Sequence, residues 1–282
     1  MPFSKPNNLS LEGFLQQSFP AASAAGVVCA LPGLSDGAWR VVVDDETLVV
    51  RRDARASRAR SPRQYRALKR LPATLAPRPR RCDNGWLAVT FLPGDIHDAL
   101  PPVPQLGALL YHLHRQRCFG WRIELLPLLM RDWQQSAPTR RTPFWLRLLH
   151  RLRRLGEPRP LRLAPLHMDV HPGNLVRAHT QLRLIDWEYA GDGDVALELA
   201  CVWLDDATRE ALIVDYAQRA LMDATLLRRQ VARWRPWSGL LMAGWYERRF
   251  QETGDRTFIT LADEAWRQLR GSEYEGRETW VR

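Results

Sequence analysis

The chain has 282 residues, with 41 Lys+Arg against 31 Asp+Glu and a formal net charge of +10. Its 45% hydrophobic and 26% charged residues exclude wholesale disorder, and its 20 Pro and 17 Gly, in no repeat, exclude a collagen-like or linker-dominated chain. No apolar run approaches the roughly 18 residues of a membrane-spanning helix, so no membrane association is expected.

In chain order, Ser10 is the expected N-cap of a short amphipathic helix that begins Leu11-Glu12-Gly13-Phe14-Leu15. Three strand-like runs follow, Val27–Leu31, Trp39–Val43 and Thr47–Arg51, separated by turn residues at the spacing of an antiparallel meander. Ser61-Pro62 reads as an N-cap and first helical position, opening a helix to about Leu71 with Tyr65, Leu68 and Leu71 on one face. Pro72, Pro77 and Pro79 mark an extended connector, and Trp86–Phe91 a further strand closed by Pro93-Gly94. After Gly94 the periodicity becomes helical over Leu106–Gln116, Leu125–Gln135 and Phe144–Leu155. Leu161–Tyr189 mixes short extended runs. Helix follows helix from Val195 to Leu269, and the polar residues Gly271–Arg282 read as a frayed end. The expected class is α+β: a small antiparallel-sheet lobe over residues 1–94 and a larger, mainly helical lobe over 95–282.

Export and disulfide signals are missing from the pattern. The start, Met1-Pro2-Phe3-Ser4-Lys5, is not a charged-then-apolar signal segment. Cys29, Cys82, Cys118 and Cys201 form no C-x-x-C and read as reduced packing residues. A cytoplasmic location follows as the expectation.

The basic residues are unusual in kind. Of the 41, only Lys5 and Lys69 are lysines, so any phosphate contact falls to arginine, which is always charged and forks onto phosphate oxygens. Twelve basic residues lie between Arg51 and Arg81, and eight arginines between Arg140 and Arg162. Nine acids against one base, Arg209, lie between Asp186 and Asp215. The basic blocks read as solvated helix faces or as a nucleic-acid surface. Taken together, the blocks fit a polyanionic nucleotide on one segment and metal ions or a cationic substrate on another.

The chemistry concentrates in Leu166-His167-Met168-Asp169-Val170-His171-Pro172-Gly173-Asn174-Leu175-Val176 and in Leu184-Ile185-Asp186-Trp187-Glu188-Tyr189. Arg177–Gln181 reads as the turn of a hairpin between them. An Asp on a loop, an Asn five residues on and an Asp after a hairpin is the pattern phosphoryl transfer needs. The first carboxylate, Asp169, orients a hydroxyl and takes its proton; Asn174 and Asp186 offer hard oxygens to Mg²⁺ on the phosphates of ATP. The pattern parallels the protein-kinase string H-R-D-x-x-x-x-N followed by D-F-G, with Met168 in place of Arg and Asp186-Trp187-Glu188 in place of D-F-G. A second reading makes His167, Asp169 and His171 a hydrolase metal site; it lacks a further histidine motif, because His112 and His114 lie at i, i+2 on a helix and cannot face one ligand. No G-x-x-x-x-G-K-[ST] motif is present, which excludes a P-loop kinase. Gly33, Ser35 and Gly37 form the candidate turn over the phosphates, and Arg51, on the third strand, is the candidate phosphate-pairing cation.

On these residues the chain resembles the aminoglycoside phosphotransferase and choline kinase family of small-molecule kinases. Leu161–His171 and Leu184–Asp194 carry the family likeness; Phe119–Leu129 and Ala243-Gly244-Trp245-Tyr246 resemble its thiamine kinase branch. The resemblance implies a two-lobed protein-kinase-like fold and a monomer. It implies ATP-dependent phosphorylation of the hydroxyethyl group of thiamine, a salvage step, with no nucleic-acid partner. It carries over Asp169 as base, Asn174 and Asp186 as Mg²⁺ ligands, Glu188 as a further acid near the metal, and Val89–Leu92 as a hinge whose Thr90 and Leu92 backbone holds adenine. Gln64 stands where relatives often have a Glu paired with the strand cation, so another group has to orient Arg51. Twelve Trp and the acidic block fit a cationic acceptor, and fit choline or an aminoglycoside equally. A non-catalytic nucleic-acid-binding protein is the remaining alternative.

Overall fold

The computed structural model describes residues 10–20, 26–30, 38–52, 60–179 and 181–275. In chain order its elements begin with α1 (Leu11–Ser18), β1 (Gly26–Ala30), β2 (Ala38–Val43), β3 (Glu46–Arg52), α2 (Arg60–Leu68), β4 (Pro79–Asp83) and β5 (Trp86–Thr90). Then come α3 (Val103–His114), α4 (Leu125–Gln135), α5 (Pro143–Leu155), β6 (Leu163–Leu166), β7 (Leu175–Ala178), β8 (Gln181–Leu184) and β9 (Gly191–Asp194). The chain continues as α6 (Val195–Cys201), α7 (Asp206–Ala220), α8 (Ala224–Thr253) and α9 (Thr257–Glu275). Among the described residues, no helix is long and apolar enough to cross a membrane. The backbone divides into two units, residues 1–120 with 167–191, and residues 121–166 with 192–282.

In the first unit, five antiparallel strands lie in the order β1-β2-β3-β5-β4. Alternation along each strand sends Val41, Val43, Leu48, Val50, Trp86 and Ala88 to one face, where Phe14 and Leu15 of α1 cover them. Ser10 caps α1 as expected, its hydroxyl accepting the Gly13 N–H at 3.1 Å. Asp44 and Asp45, both at positive φ, close the two-residue β2–β3 turn, whose twist matches the flanking strands.

The structure corrects the stretch from Arg60 to Pro79. Ser61 is not an N-cap: α2 starts at Arg60, and its buried face is Ser61, Gln64, Ala67 and Leu68; of the expected Tyr65, Leu68 and Leu71, Leu68 alone is buried. The connector is not extended either. Leu75 and Ala76 donate back to the Pro72 carbonyl, and both side chains are buried. Pro79 opens β4, a strand the apolar pattern hides, turned into β5 by Asn84-Gly85 at φ 49° and 80°. At the other end of the chain, Gly271 to Glu275 are helical, as the end of α9.

The second unit is built around α8, which packs against α4, α5, α6, α7 and α9. Gly244 lets these helices close: a Cβ there would stand 3.2 Å from Asp132 Cβ and 3.3 Å from Trp145 Cζ2. Buried Asp132 on α4 accepts from Arg248 Nε of α8 at 2.8 Å. Arg140 forks onto Glu247 at 2.9 Å on both arms, and Trp266 Nε1 donates to the same carboxylate at 2.8 Å.

Candidate active site

The site residues lie in the first unit, at the open end of the β7–β8 hairpin. Leu175 faces Leu184 across the hairpin, and Ile185 N–H donates to the Asn174 carbonyl at 3.0 Å. That bond sets Asp186 beside the 3-10 turn Pro172–Asn174. Asn174, 6% exposed, sends its Nδ2 to both the backbone oxygen and Oδ2 of Asp169, at 2.9 and 3.0 Å. Asp186 Oδ1 accepts from Arg51 Nη1 of β3 at 2.8 Å. Asp169, Asn174 and Asp186 therefore come together as the hairpin spacing anticipates, and Arg51 joins the group through Asp186.

His167 holds this geometry in place. Its ring is fully buried and packs edge-on to Trp187 at 4.6 Å. The Asp169 N–H, which can only donate, reaches Nδ1 at 3.2 Å; Nε2 therefore carries the hydrogen and donates to the Ile185 carbonyl at 2.8 Å. The neighbours of these contacts, Met168 at φ 71° and Asp186 at φ 62°, sit in the left-handed region, at a cost of about 1 kcal/mol each. One imidazole thus clamps both strained residues. With both ring nitrogens committed to backbone, His167 is unavailable as a metal ligand. Among the described residues no three His, Cys, Asp or Glu side chains are grouped to hold a metal. The hydrolase reading of His167, Asp169 and His171 falls on both counts.

The segment after β5 is tied to the same hairpin. Asp95 exchanges two backbone hydrogen bonds with Arg177, at 2.8 and 2.9 Å. Arg177 Nη2 reaches the Ala99 carbonyl at 2.7 Å, and Arg183 Nη2 the Pro93 carbonyl at 3.1 Å. Gly94 is required here: its φ is +139°, and a Cβ would stand 2.4 Å from the Arg177 carbonyl oxygen. Thr90 ends β5 with its N–H and Oγ1 both bonded to Arg78, and Leu92 is 9% exposed. The Leu92 N–H makes no hydrogen bond among the described residues, which leaves a donor for an adenine edge.

The donor set fits a magnesium ion shared with phosphates. Asn174 Oδ1 and Asp186 Oδ2 accept no hydrogen bond among the described residues, so each presents a hard oxygen. The pair supplies two ligands, leaving further positions to phosphate and water, as Mg²⁺ prefers. Glu188 is half-buried in the loop that follows Asp186. Gly33, Ser35 and Gly37 lie outside the described residues. The ion pair with Asp186 answers the question Gln64 raises, since an acid other than an α2 glutamate orients Arg51.

Much of the acidic block is structural, which its composition does not reveal. Asp194 is 1% exposed; its Oδ2 accepts from Gln230 Nε2 and Trp234 Nε1 at 2.7 and 2.9 Å, and its Oδ1 from the Ala196 N–H of α6 at 3.3 Å. Asp205 caps α7, and the Thr208 hydroxyl, then the Thr208 N–H, hold its carboxyl below the usual range. Asp206 pairs with Arg235, Glu210 with Arg228 and Asp215 with Arg219. The one base, Arg209, grips the carbonyls of Leu199, Ala200, Val202 and Leu204 at the end of α6. Its burial pushes its pKa down to about 10. Trp187, Trp234 and Trp237 are buried packing residues, whereas Trp203 is 46% exposed.

Comparison with known proteins identifies the family and the fold. The phosphotransferase enzyme family matches residues 28–237. A thiamine kinase from Salmonella dublin is 53% identical over 267 residues, covering 94% of this chain and 97% of that protein. Among solved structures, choline kinase LicA from Streptococcus pneumoniae superposes with a TM-score of 0.70 at 14% identity, covering 93% of this chain and 99% of LicA. LicA in complex with AMP superposes with a TM-score of 0.66 at 14% identity, over 88% of this chain and 92% of that one. The fold is thus the α+β, protein-kinase-like fold of these small-molecule kinases, and the chain belongs to the phosphotransferase enzyme family.

Proposed function

We infer that the chain is an ATP-dependent thiamine kinase, forming thiamine monophosphate and ADP from thiamine and ATP. The chemistry rests on the connected Asp169, Asn174, Asp186 and Arg51. The acceptor rests on 53% identity across 94% of the chain to a protein named thiamine kinase.

In this reading residues 1–94 hold the nucleotide, and residues 95–282 supply the catalytic segment and the acceptor contacts. Thr90 and Leu92 present backbone groups to adenine; Gly33, Ser35 and Gly37 cover the phosphates; Arg51 neutralises them. Asn174 and Asp186 hold Mg²⁺, with Glu188 nearby. The ion, when bound, screens charge on the β- and γ-phosphates. The thiamine hydroxyl oxygen attacks the γ-phosphorus, the bond from phosphorus to the β–γ bridging oxygen breaks, and the hydroxyl proton passes to Asp169. We take the working form to be a cytoplasmic monomer.

The test is a panel of acceptors, each incubated with the purified protein, ATP and Mg²⁺. Thiamine is expected to yield its monophosphate and stoichiometric ADP. Turnover of choline or an aminoglycoside with none of thiamine overturns the acceptor. Salt-sensitive DNA binding with no phosphoryl transfer to any acceptor overturns the enzyme.

A further inference from the structure

His171 lies on the same loop as the proposed base, and the mechanism above gives it no part. Its ring folds back over the 3-10 turn that follows, with Nδ1 accepting the Gly173 N–H at 3.2 Å. A backbone N–H can only donate, so in the neutral ring the hydrogen is on Nε2. Nε2 is the atom that faces Asp169, 3.7 Å from Oδ2. Oδ2 is also the oxygen that receives Asn174 Nδ2 at 3.0 Å, while Oδ1 accepts no hydrogen bond among the described residues. The two carboxylate oxygens are therefore unequal. The ring's resting place depends on the next residue but one: a Cβ on Gly173 would stand 2.9 Å from His171 Cε1.

We propose that His171 is a positioning residue for the phosphoryl transfer, holding the Oδ2 side of Asp169 so that Oδ1 meets the acceptor hydroxyl. The proposal rests on the reading of Asp169 as the base. At 3.7 Å the contact is longer than a hydrogen bond; catalytic contacts that are long in a substrate-free enzyme often tighten when substrates bind. With Asn174 Nδ2 and His171 Nε2 both directed at Oδ2, rotation of the carboxylate is restrained from two sides. The incoming proton then has one oxygen to go to.

The experiment uses His171→Ala, His171→Gln, Gly173→Ala and the double variant His171→Ala/Gly173→Ala. Steady-state kinetics are measured with whichever acceptor the wild type phosphorylates, thiamine being expected, and active sites are counted by nucleotide titration. His171→Ala is expected to lower kcat about ten- to a hundredfold, the loss expected for a misplaced reacting group. KM for ATP should stay within about twofold, because the ligands of the metal and phosphates are untouched. Gly173→Ala, which displaces the ring without removing it, should lose kcat to a similar extent. In the double variant the two effects should not add, since both act through one imidazole. His171→Gln, which keeps an acceptor for Gly173 and a donor for Asp169, should recover part of the rate. Unchanged kcat per active site in His171→Ala overturns the proposal, as do additive losses or a loss confined to melting temperature. Wild-type turnover of another acceptor in place of thiamine overturns the function proposed above and leaves this comparison to be read on that acceptor.

Discussion

Asp194→Ala tests the division of the acidic stretch into structural and chemical carboxylates. Asp194 accepts two buried side-chain donors, Gln230 Nε2 and Trp234 Nε1, and caps α6. Gln230 keeps a second acceptor, the Arg159 carbonyl at 2.7 Å, but the Trp234 N–H, on a side chain only 3% exposed, is left with none. A hydrogen bond to a charged group contributes about 1.5–3 kcal/mol and an N-cap about 1 kcal/mol. Allowing for the remaining Gln230 bond, the loss is about 4 kcal/mol, a large share of the roughly 5–15 kcal/mol that holds a domain folded. At about 2–4 °C per kcal/mol for a chain of this size, the melting temperature should fall by roughly 10 °C. Circular dichroism melts and urea titrations measure it, with Trp234→Phe as partner. Removing the donor should make the Asp194→Ala penalty smaller, so the pair should be non-additive. A shift of less than about 3 °C, or strict additivity with Trp234→Phe, would refute the assignment of Asp194 as a buried hub.

Asp186→Ala should show the opposite profile. Its ion pair with Arg51 is partly exposed, so the fold should lose under about 1 kcal/mol while turnover and Mg²⁺-dependent nucleotide binding disappear; near-normal turnover at ordinary Mg²⁺ would move the metal elsewhere. Arg51→Ala should raise KM for ATP more than KM for thiamine, and equal effects on both would transfer the phosphate contact to another arginine. Asp169→Asn should slow the single-turnover rate about a hundredfold with ATP titration unchanged; lost ATP binding with intact chemistry would recast Asp169 as a metal ligand. Asp205 supplies a pH test. Its folded pKa lies below its unfolded one, so its stabilisation is present above the unfolded value near 3.8 and is lost as pH falls through the folded value. The melting-temperature gap between wild type and Asp205→Ala should accordingly be open at pH 7 and close below that range.

Where local rules decide, the sequence is a sufficient guide. Ser10 caps α1, and α4 runs over Leu125–Gln135, the span its apolar periodicity marks. The candidate site was legible too, because Asp169, Asn174 and Asp186 lie beside a hairpin short enough to read. The failures have physical causes. Pro79-Arg80-Arg81-Cys82-Asp83 has no apolar alternation, so β4 is invisible to periodicity; the Asn84-Gly85 pair was a hairpin signal that could have revealed it. The roles of Asp194, Asp206 and Glu210 depend on partners far along the chain, Trp234, Arg235 and Arg228. Charge counts carry no information on such pairings. His171 illustrates the same limit at short range: its spacing suggested a metal ligand, and only the ring's contact with Gly173 shows which nitrogen carries the hydrogen.

The interleaving of the two units has a consequence for how the protein is made. Residues 167–191 belong with residues 1–120, and the intervening 121–166 belong with 192–282. A chain emerging from the ribosome cannot complete the first unit at residue 120. The sheet and α3 must wait, without the hairpin that carries Asn174 and Asp186, until residue 191 has been synthesised. No uninterrupted fragment contains either unit alone, so expressing the sheet region as residues 1–120 should yield a species lacking β7 and β8 and the Asp95–Arg177 bonds. During synthesis that incomplete species is the one exposed to aggregation and proteolysis. Destabilising changes in the 167–191 hairpin should therefore lower the yield of folded protein more than their effect on the finished molecule's melting temperature implies.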